Sequence, residues 1–124
     1  MTVTGIDHVQ IAAPPGCEAA ARAFYGGLLG LEELPKPPAL AANGGCWFRA
    51  GAQELHVGVE EMFAPARKAH PGFVVDDLEA LRELLAASGL DPVPDGRIPG
   101  TERFYVDDPF GNRIELRQAQ RSLR

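Results

Sequence analysis

The chain is poor in cysteine, has no long apolar run and has no basic cluster, and each shortage removes a class of protein. Cys17 and Cys46 are its two cysteines, with no CxxC spacing and no secretion-type leader before them. A disulfide framework or a cysteine zinc site therefore has no support, and both thiols are expected as buried or incidental residues. Apolar runs extend only a few residues, far short of the roughly 20 that span a bilayer. The start, MTVTGIDHVQ, carries an acid and a histidine where a leader would carry basic residues and then an apolar stretch. These features predict a soluble, unexported, cytoplasmic protein with no membrane partner. Ten arginines and two lysines lie scattered among 17 acidic residues, for a formal charge of −5, so there is no electrostatic footprint for nucleic acid. The 14 glycines and 11 prolines stop short of low-complexity composition but imply many turns, which argues against a plain helix bundle.

The 124 residues have the length of one domain, 1–124, with ordinary globular composition. Residues 3–12 (VTGIDHVQIA) alternate with period 2, placing Ile6, His8, Gln10 and Ala12 on one side of a strand and Val9 and Ile11 on the other. Pro14, Pro15 and Gly16 break it. The alanine-rich stretch 18–29 predicts a helix closed by Gly30 and weakened in its last turn by Gly26 and Gly27. Residues 31–34, 46–50 and 53–60 then read as three short strands, with a proline-bearing loop over 35–43. After a connector or weak helix at 61–69 the order restarts. A strand is predicted at 70–77, an amphipathic helix at 78–88 closed by Gly89, and strands at 91–96, 101–108 and 112–118. The last two are joined by the turn DPFGN, and a polar tail, 118–124, is expected to fray.

Strand, helix and three strands are thus written twice, in modules at about 3–60 and 70–118. The spacing supports a duplication. His8 precedes Gly30 by 22 residues and His70 precedes Gly89 by 19, the difference being the PPG insertion, while His56 and Glu115 each follow their glycine by 26. Two copies of a period near 60 exclude a solenoid and indicate a pseudo-twofold domain.

His8, His56, His70 and Glu115 each interrupt an apolar strand, so all four leave the face opposite the apolar one. Three imidazoles and a carboxylate suit a borderline divalent ion such as Zn, Ni, Fe, Co or Mn, and do not suit calcium or magnesium. On the same strands Gln10, Arg49, Arg103, Tyr105 and Arg113 are candidates to hold a polar or anionic substrate, and Arg67 and Lys68 stand just before His70. Trp47 and Phe48 are adjacent on a strand, so one faces the core and the other the cup or a subunit interface, core packing being the expected use of either.

The segments GIDHVQIAAP, FYGGLLGLEEL, ELHVGV, HPGFVVDDLEAL and FYVDDPFGNRIEL, spread over residues 5–118, resemble the vicinal oxygen chelate superfamily of glyoxalase I, fosfomycin resistance proteins, bleomycin-binding proteins and extradiol dioxygenases. The resemblance implies an α+β fold of two βαβββ modules forming a cupped, partly open mixed sheet. It also implies a homodimer and a divalent metal held by His8, His56, His70 and Glu115. Its common chemistry is a metal that stabilises negative charge developing on a substrate offering neighbouring oxygens. His56 stands where bacterial glyoxalase I has glutamate, which leaves Glu115 as the available base. The function implied is a glyoxalase-like metal-dependent lyase or isomerase acting on an oxygen-rich small molecule. Alternatives in the same superfamily are a drug- or metabolite-sequestering protein, a small extradiol dioxygenase and an antibiotic thiol transferase.

Overall fold

The computed structural model describes residues 1–120. The chain divides into two compact units, Met1–Pro65 and Ala66–Arg124. The first contains β1 (His8–Ala13), a helix beginning as α1 (Glu18–Ala21) and widening into a π-helical stretch (Arg22–Leu28), β2 (Glu32–Leu34), a single turn α2 (Pro38–Ala41), β3 (Cys46–Ala50) and β4 (Gln53–Val59). Its four strands form an open mixed sheet in the order β1-β4-β3-β2, with β1 parallel to β4 and the other pairs antiparallel. The second contains β5 (Gly72–Val75), α3 (Leu78–Ala87), β6 (Val93–Pro94), β7 (Arg103–Asp107) and β8 (Arg113–Gln118). These strands pair as β5-β8-β7-β6, again with one parallel pair, β5 with β8. The twice-written βαβββ order is therefore present as two equivalent four-stranded sheets, an α+β fold with few helices. No helix among the described residues is long and apolar enough to cross a membrane.

Period-2 patterning builds each core. In the first unit Cys46 and Phe48 of β3 face Val57 and Leu55 of β4, and these pack with Phe24 and Tyr25 of the helix, all fully or nearly buried. In the second, Phe104 and Val106 of β7 and Ile114 and Leu116 of β8 are buried, as are Leu78 and Leu85 of α3. Burial of such side chains contributes about 1.5–3 kcal/mol each before conformational entropy is charged against it. Asp77 caps α3 by accepting from the Ala80 amide at 3.0 Å. Gly89 closes it at φ +86°, with the Leu90 amide reaching back to the Leu85 carbonyl at 3.0 Å.

Four local expectations are modified. The first strand begins at His8 and not at residue 3, because its partner β4 starts at Gln53 and the last ladder bond runs from the Glu54 amide to the Asp7 carbonyl. The first helix is α-helical for only one turn. Over Gly26 and Gly27 it relaxes to a wider turn, in which the Leu29 amide reaches the Phe24 carbonyl at 2.9 Å. Within the proline-bearing loop, Pro38 opens a turn of helix from the first position that its ring tolerates. Only Val93 and Pro94 of the segment 91–96 form strand. The 61–69 segment is a connector. Of the polar tail, Gln118 ends β8, while residues 121–124 lie outside the described residues.

Candidate metal centre

Strand register brings the candidate donors together in pairs, one pair per unit, at matching positions. Two residues after His8, Gln10 lies opposite His56; two residues after His70, Gly72 lies opposite Glu115. The duplication inferred from spacing is thus a duplication of register. The pairs nevertheless meet differently.

In the second unit the pair meets edge to edge. The His70 Nδ1 lies 2.8 Å from the Lys68 carbonyl, an acceptor only, so this nitrogen carries the proton. The other ring nitrogen, Nε2, is left facing the Glu115 Oε1 at 3.0 Å. A lone pair against a carboxylate oxygen requires a cation between or beside them, either a proton or a metal ion. A backbone carbonyl that fixes the tautomer from behind is also how metal-binding histidines are held. An imidazole nitrogen and a carboxylate are donor types that suit a divalent ion, and this pair supplies one of each.

Glu115 is buried and heavily supported by cations. The Arg103 Nη1 lies 3.3 Å from Oε1 and the Arg117 Nε lies 3.6 Å from Oε2. Burial alone would raise the Glu115 carboxyl, but the hydrogen bonds from His70 and Arg103 and their positive charge outweigh it and hold it below the usual carboxylate range. Glu115 is thus anionic and suited to a cation. Arg103 is itself nearly enclosed, donating to the Tyr105 hydroxyl at 2.8 Å and lying 3.3 Å from Asp95. Its Nε is buried with no hydrogen-bond partner. Tyr105 turns its ring edge-on to His70, with centroids 5.4 Å apart, and carries the Arg113 guanidinium on its face at 3.7 Å. A cleft of about 590 Å³ opens beside them, lined by Arg67, Leu90, Val93, Tyr105, Asp107 and Arg113. Arg67 is tied to Asp107 at 2.8 Å.

In the first unit the pair meets face to face. The His8 and His56 rings stack at 4.2 Å with 14° between planes, and the Trp47 indole covers the other face of His56 at 3.9 Å and 3°. Exposed Asp7 accepts from the His8 Nδ1 at 3.0 Å, which leaves the His8 Nε2 with its lone pair free. The His56 Nε2 is bound to Glu54, two residues earlier on β4, at 3.0 Å. Gln10 lies over Gly58, where an added Cβ would come within 2.8 Å of its amide, and Arg49 is exposed on the same side of the sheet. No group of three or more His, Cys, Asp or Glu side chains is gathered in metal-holding geometry among the described residues.

Sequence reasoning passed over Asp7, Glu54 and Asp95 and gave Trp47 to core packing ahead of the cup or a subunit interface. Glu54 was reachable, since it shares a face with His56 at period 2. Asp95 directly follows β6, where its amide donates to the Arg103 carbonyl at 3.1 Å, and the strand predicted over 91–96 carries no register to pair it with Arg103.

A duplicated βαβββ chain with a histidine two residues before β5 meeting a carboxylate on β8 defines a glyoxalase-like α+β protein. The chain belongs to the Glyoxalase/Bleomycin resistance protein/Dioxygenase superfamily, whose family model matches residues 5–116. It is 51% identical to a glyoxalase family protein from Bacillus anthracis, covering 97% of this chain and 98% of that one with a TM-score of 0.92. The fold is also that of lactoylglutathione lyase from Agrobacterium tumefaciens, at 22% identity, TM-score 0.74 and 96% coverage of each chain. The fosfomycin resistance protein FosX from Listeria monocytogenes shares it at 15% identity, TM-score 0.75 and 96% coverage of each chain. No match was found among curated proteins.

Proposed function

We propose that the protein is a divalent-metal-dependent enzyme of glyoxalase type, a lyase or isomerase acting on an oxygen-rich small molecule. The observation that carries this reading is the His70–Glu115 pair: a ring nitrogen facing an ionised carboxylate at 3.0 Å, with the tautomer fixed by the Lys68 carbonyl. The ion is proposed to be anchored by His70 and Glu115 of the second unit, and the matching pair of the first unit, His8 and His56, supplies the remaining candidate donors. A bound ion, whether Zn, Ni, Fe, Co or Mn, supplies Lewis-acid stabilisation of negative charge developing on a substrate oxygen. The chain's own residues do the rest. Arg103 and Arg117 keep Glu115 anionic and oriented, and Glu115 is the group proposed to carry a proton to or from substrate. Tyr105 and Arg113, at the cleft in the second unit, are proposed to hold the polar part of a substrate, and Gln10 and Arg49 are the first unit's candidates for polar contacts. A homodimer working in the cytoplasm completes the reading.

The test is metal content per chain of protein purified without a histidine tag, with His70→Ala beside it. Near-stoichiometric metal that is lost in the variant supports the reading and selects the activity assays by metal. A wild type that neither carries nor takes up divalent ions overturns it, and ligand sequestration without turnover becomes the better account.

A further inference from the structure

His56 stands in the first unit where Glu115 stands in the second, opposite the residue two beyond the leading histidine, yet its surroundings differ in kind. Both faces of its ring are covered, one by Trp47 at 3.9 Å and one by His8 at 4.2 Å, and its Nε2 is bound to Glu54. Only 7% of its side chain is exposed, against 45% for His8. Metal–imidazole bonds lie in the ring plane, along the nitrogen lone pair, at about 2.0–2.1 Å. Two rings 14° from parallel and 4.2 Å apart cannot both meet that condition for one ion. An ion in the plane of His8 is displaced from the plane of His56 by most of their separation, and there it faces the π surface of His56 and not a lone pair.

We propose that His56 is not a ligand but a positioning residue, the middle ring of a Trp47–His56–His8 stack that sets the plane of His8 and so aims its free Nε2. Glu54 locks the rotation of His56 from its edge, and Asp7 fixes the tautomer of His8. The assignment rests on the metal-binding reading above and narrows it. It leaves His8 as the first unit's one histidine donor. It also explains why histidine can replace a carboxylate here: a flat, apolar-faced ring is needed for stacking, and a glutamate has none.

Two variants separate a ring from a ligand. His56→Phe keeps a flat ring and removes both nitrogens, whereas His56→Ala removes the ring. Copper(II)-loaded protein is measured by pulsed electron paramagnetic resonance, which counts bound imidazoles, and zinc affinity by competition with a chelator. No more than two imidazoles are expected in the wild type, and the same number in His56→Phe. Its zinc affinity should stay within about threefold of the wild type, while His56→Ala weakens roughly 10–100-fold as supporting residues do. Rescue by phenylalanine is a result that a lost ligand does not give. Three imidazoles in the wild type, or one fewer in His56→Phe with affinity falling as in His56→Ala, overturns the assignment. The wild-type count decides on its own if His56→Phe does not fold. A wild type that binds neither copper nor zinc defeats the metal reading itself, and this assignment with it.

Discussion

Replacing Glu115 by glutamine keeps the shape of the side chain and removes its charge, and so separates the role of the carboxylate in folding from its role toward a metal. The carboxylate lies 3.0 Å from the His70 Nε2, 3.3 Å from Arg103 and 3.6 Å from Arg117, with the side chain 10% exposed. A buried charge-assisted hydrogen bond contributes about 1.5–3 kcal/mol net. Arg117 is partly exposed and adds little. Arg103 retains Asp95 and the Tyr105 hydroxyl, so it is not stranded. The expected loss is therefore about 2–3 kcal/mol, and for a chain of this length roughly 4 °C per kcal/mol gives a drop in melting temperature of about 8–12 °C. Metal adds a second, separate difference. At a hundred times its dissociation constant a bound ion stabilises the native state by about 2.7 kcal/mol, or roughly 11 °C, and Glu115→Gln should lose most of that rise. The assay is thermal unfolding followed by circular dichroism, on stripped protein with and without added zinc, nickel, cobalt or manganese. If stripped variant and wild type melt within about 2 °C of each other, the carboxylate is not held as described. If metal raises both equally, Glu115 is not a ligand.

Two further outcomes test the packing that carries the site. Burial, then the charges of Glu18 and Cys46, push the Cys17 thiol from the ordinary 9.0 up to about 11, so at pH 9 about one molecule in a hundred carries its thiolate, against half for an ordinary thiol. Iodoacetamide should label Cys17 at least fiftyfold more slowly in folded than in urea-unfolded protein, and rapid labelling of the folded chain would refute its placement. Because the folded thiol holds its proton more tightly, its contribution to stability is complete below pH 9 and is lost as the pH rises toward 11. In the DPFGN turn, buried Asp108 accepts from the amides of Phe110 and Asn112 at 2.9 Å and from the Asn112 side chain at 3.0 Å. Asp108→Ala should cost about 3–4 kcal/mol, or about 12–16 °C, and a melting temperature within about 4 °C of the wild type would show that the turn does not depend on it.

How far the site is legible in the sequence follows from what a strand pattern encodes. Period 2 says which side of a sheet a residue occupies, and the repeat says which residues are equivalent, so spacing alone finds His8, His56, His70 and Glu115 and pairs them. Neither says how two side chains on one side approach each other. His70 meets Glu115 along its edge because residue 70 precedes β5 and its ring is pinned by the Lys68 carbonyl in the same turn. His8 lies within β1, diagonal to His56, and there the ring on β4 is already clamped by Trp47 directly opposite. The same register thus yields a lone pair facing a carboxylate in one unit and two rings face to face in the other. The cause is a single cross-strand neighbour: position 47 carries an indole, whereas Tyr105, opposite Glu115 on β7, gives its hydroxyl to Arg103 and its face to Arg113. A duplicated scaffold can in this way keep its strand pairing and divide its labour, one module presenting a charged donor pair and the other orienting a single imidazole, with the difference set by which aromatic stands across the strand.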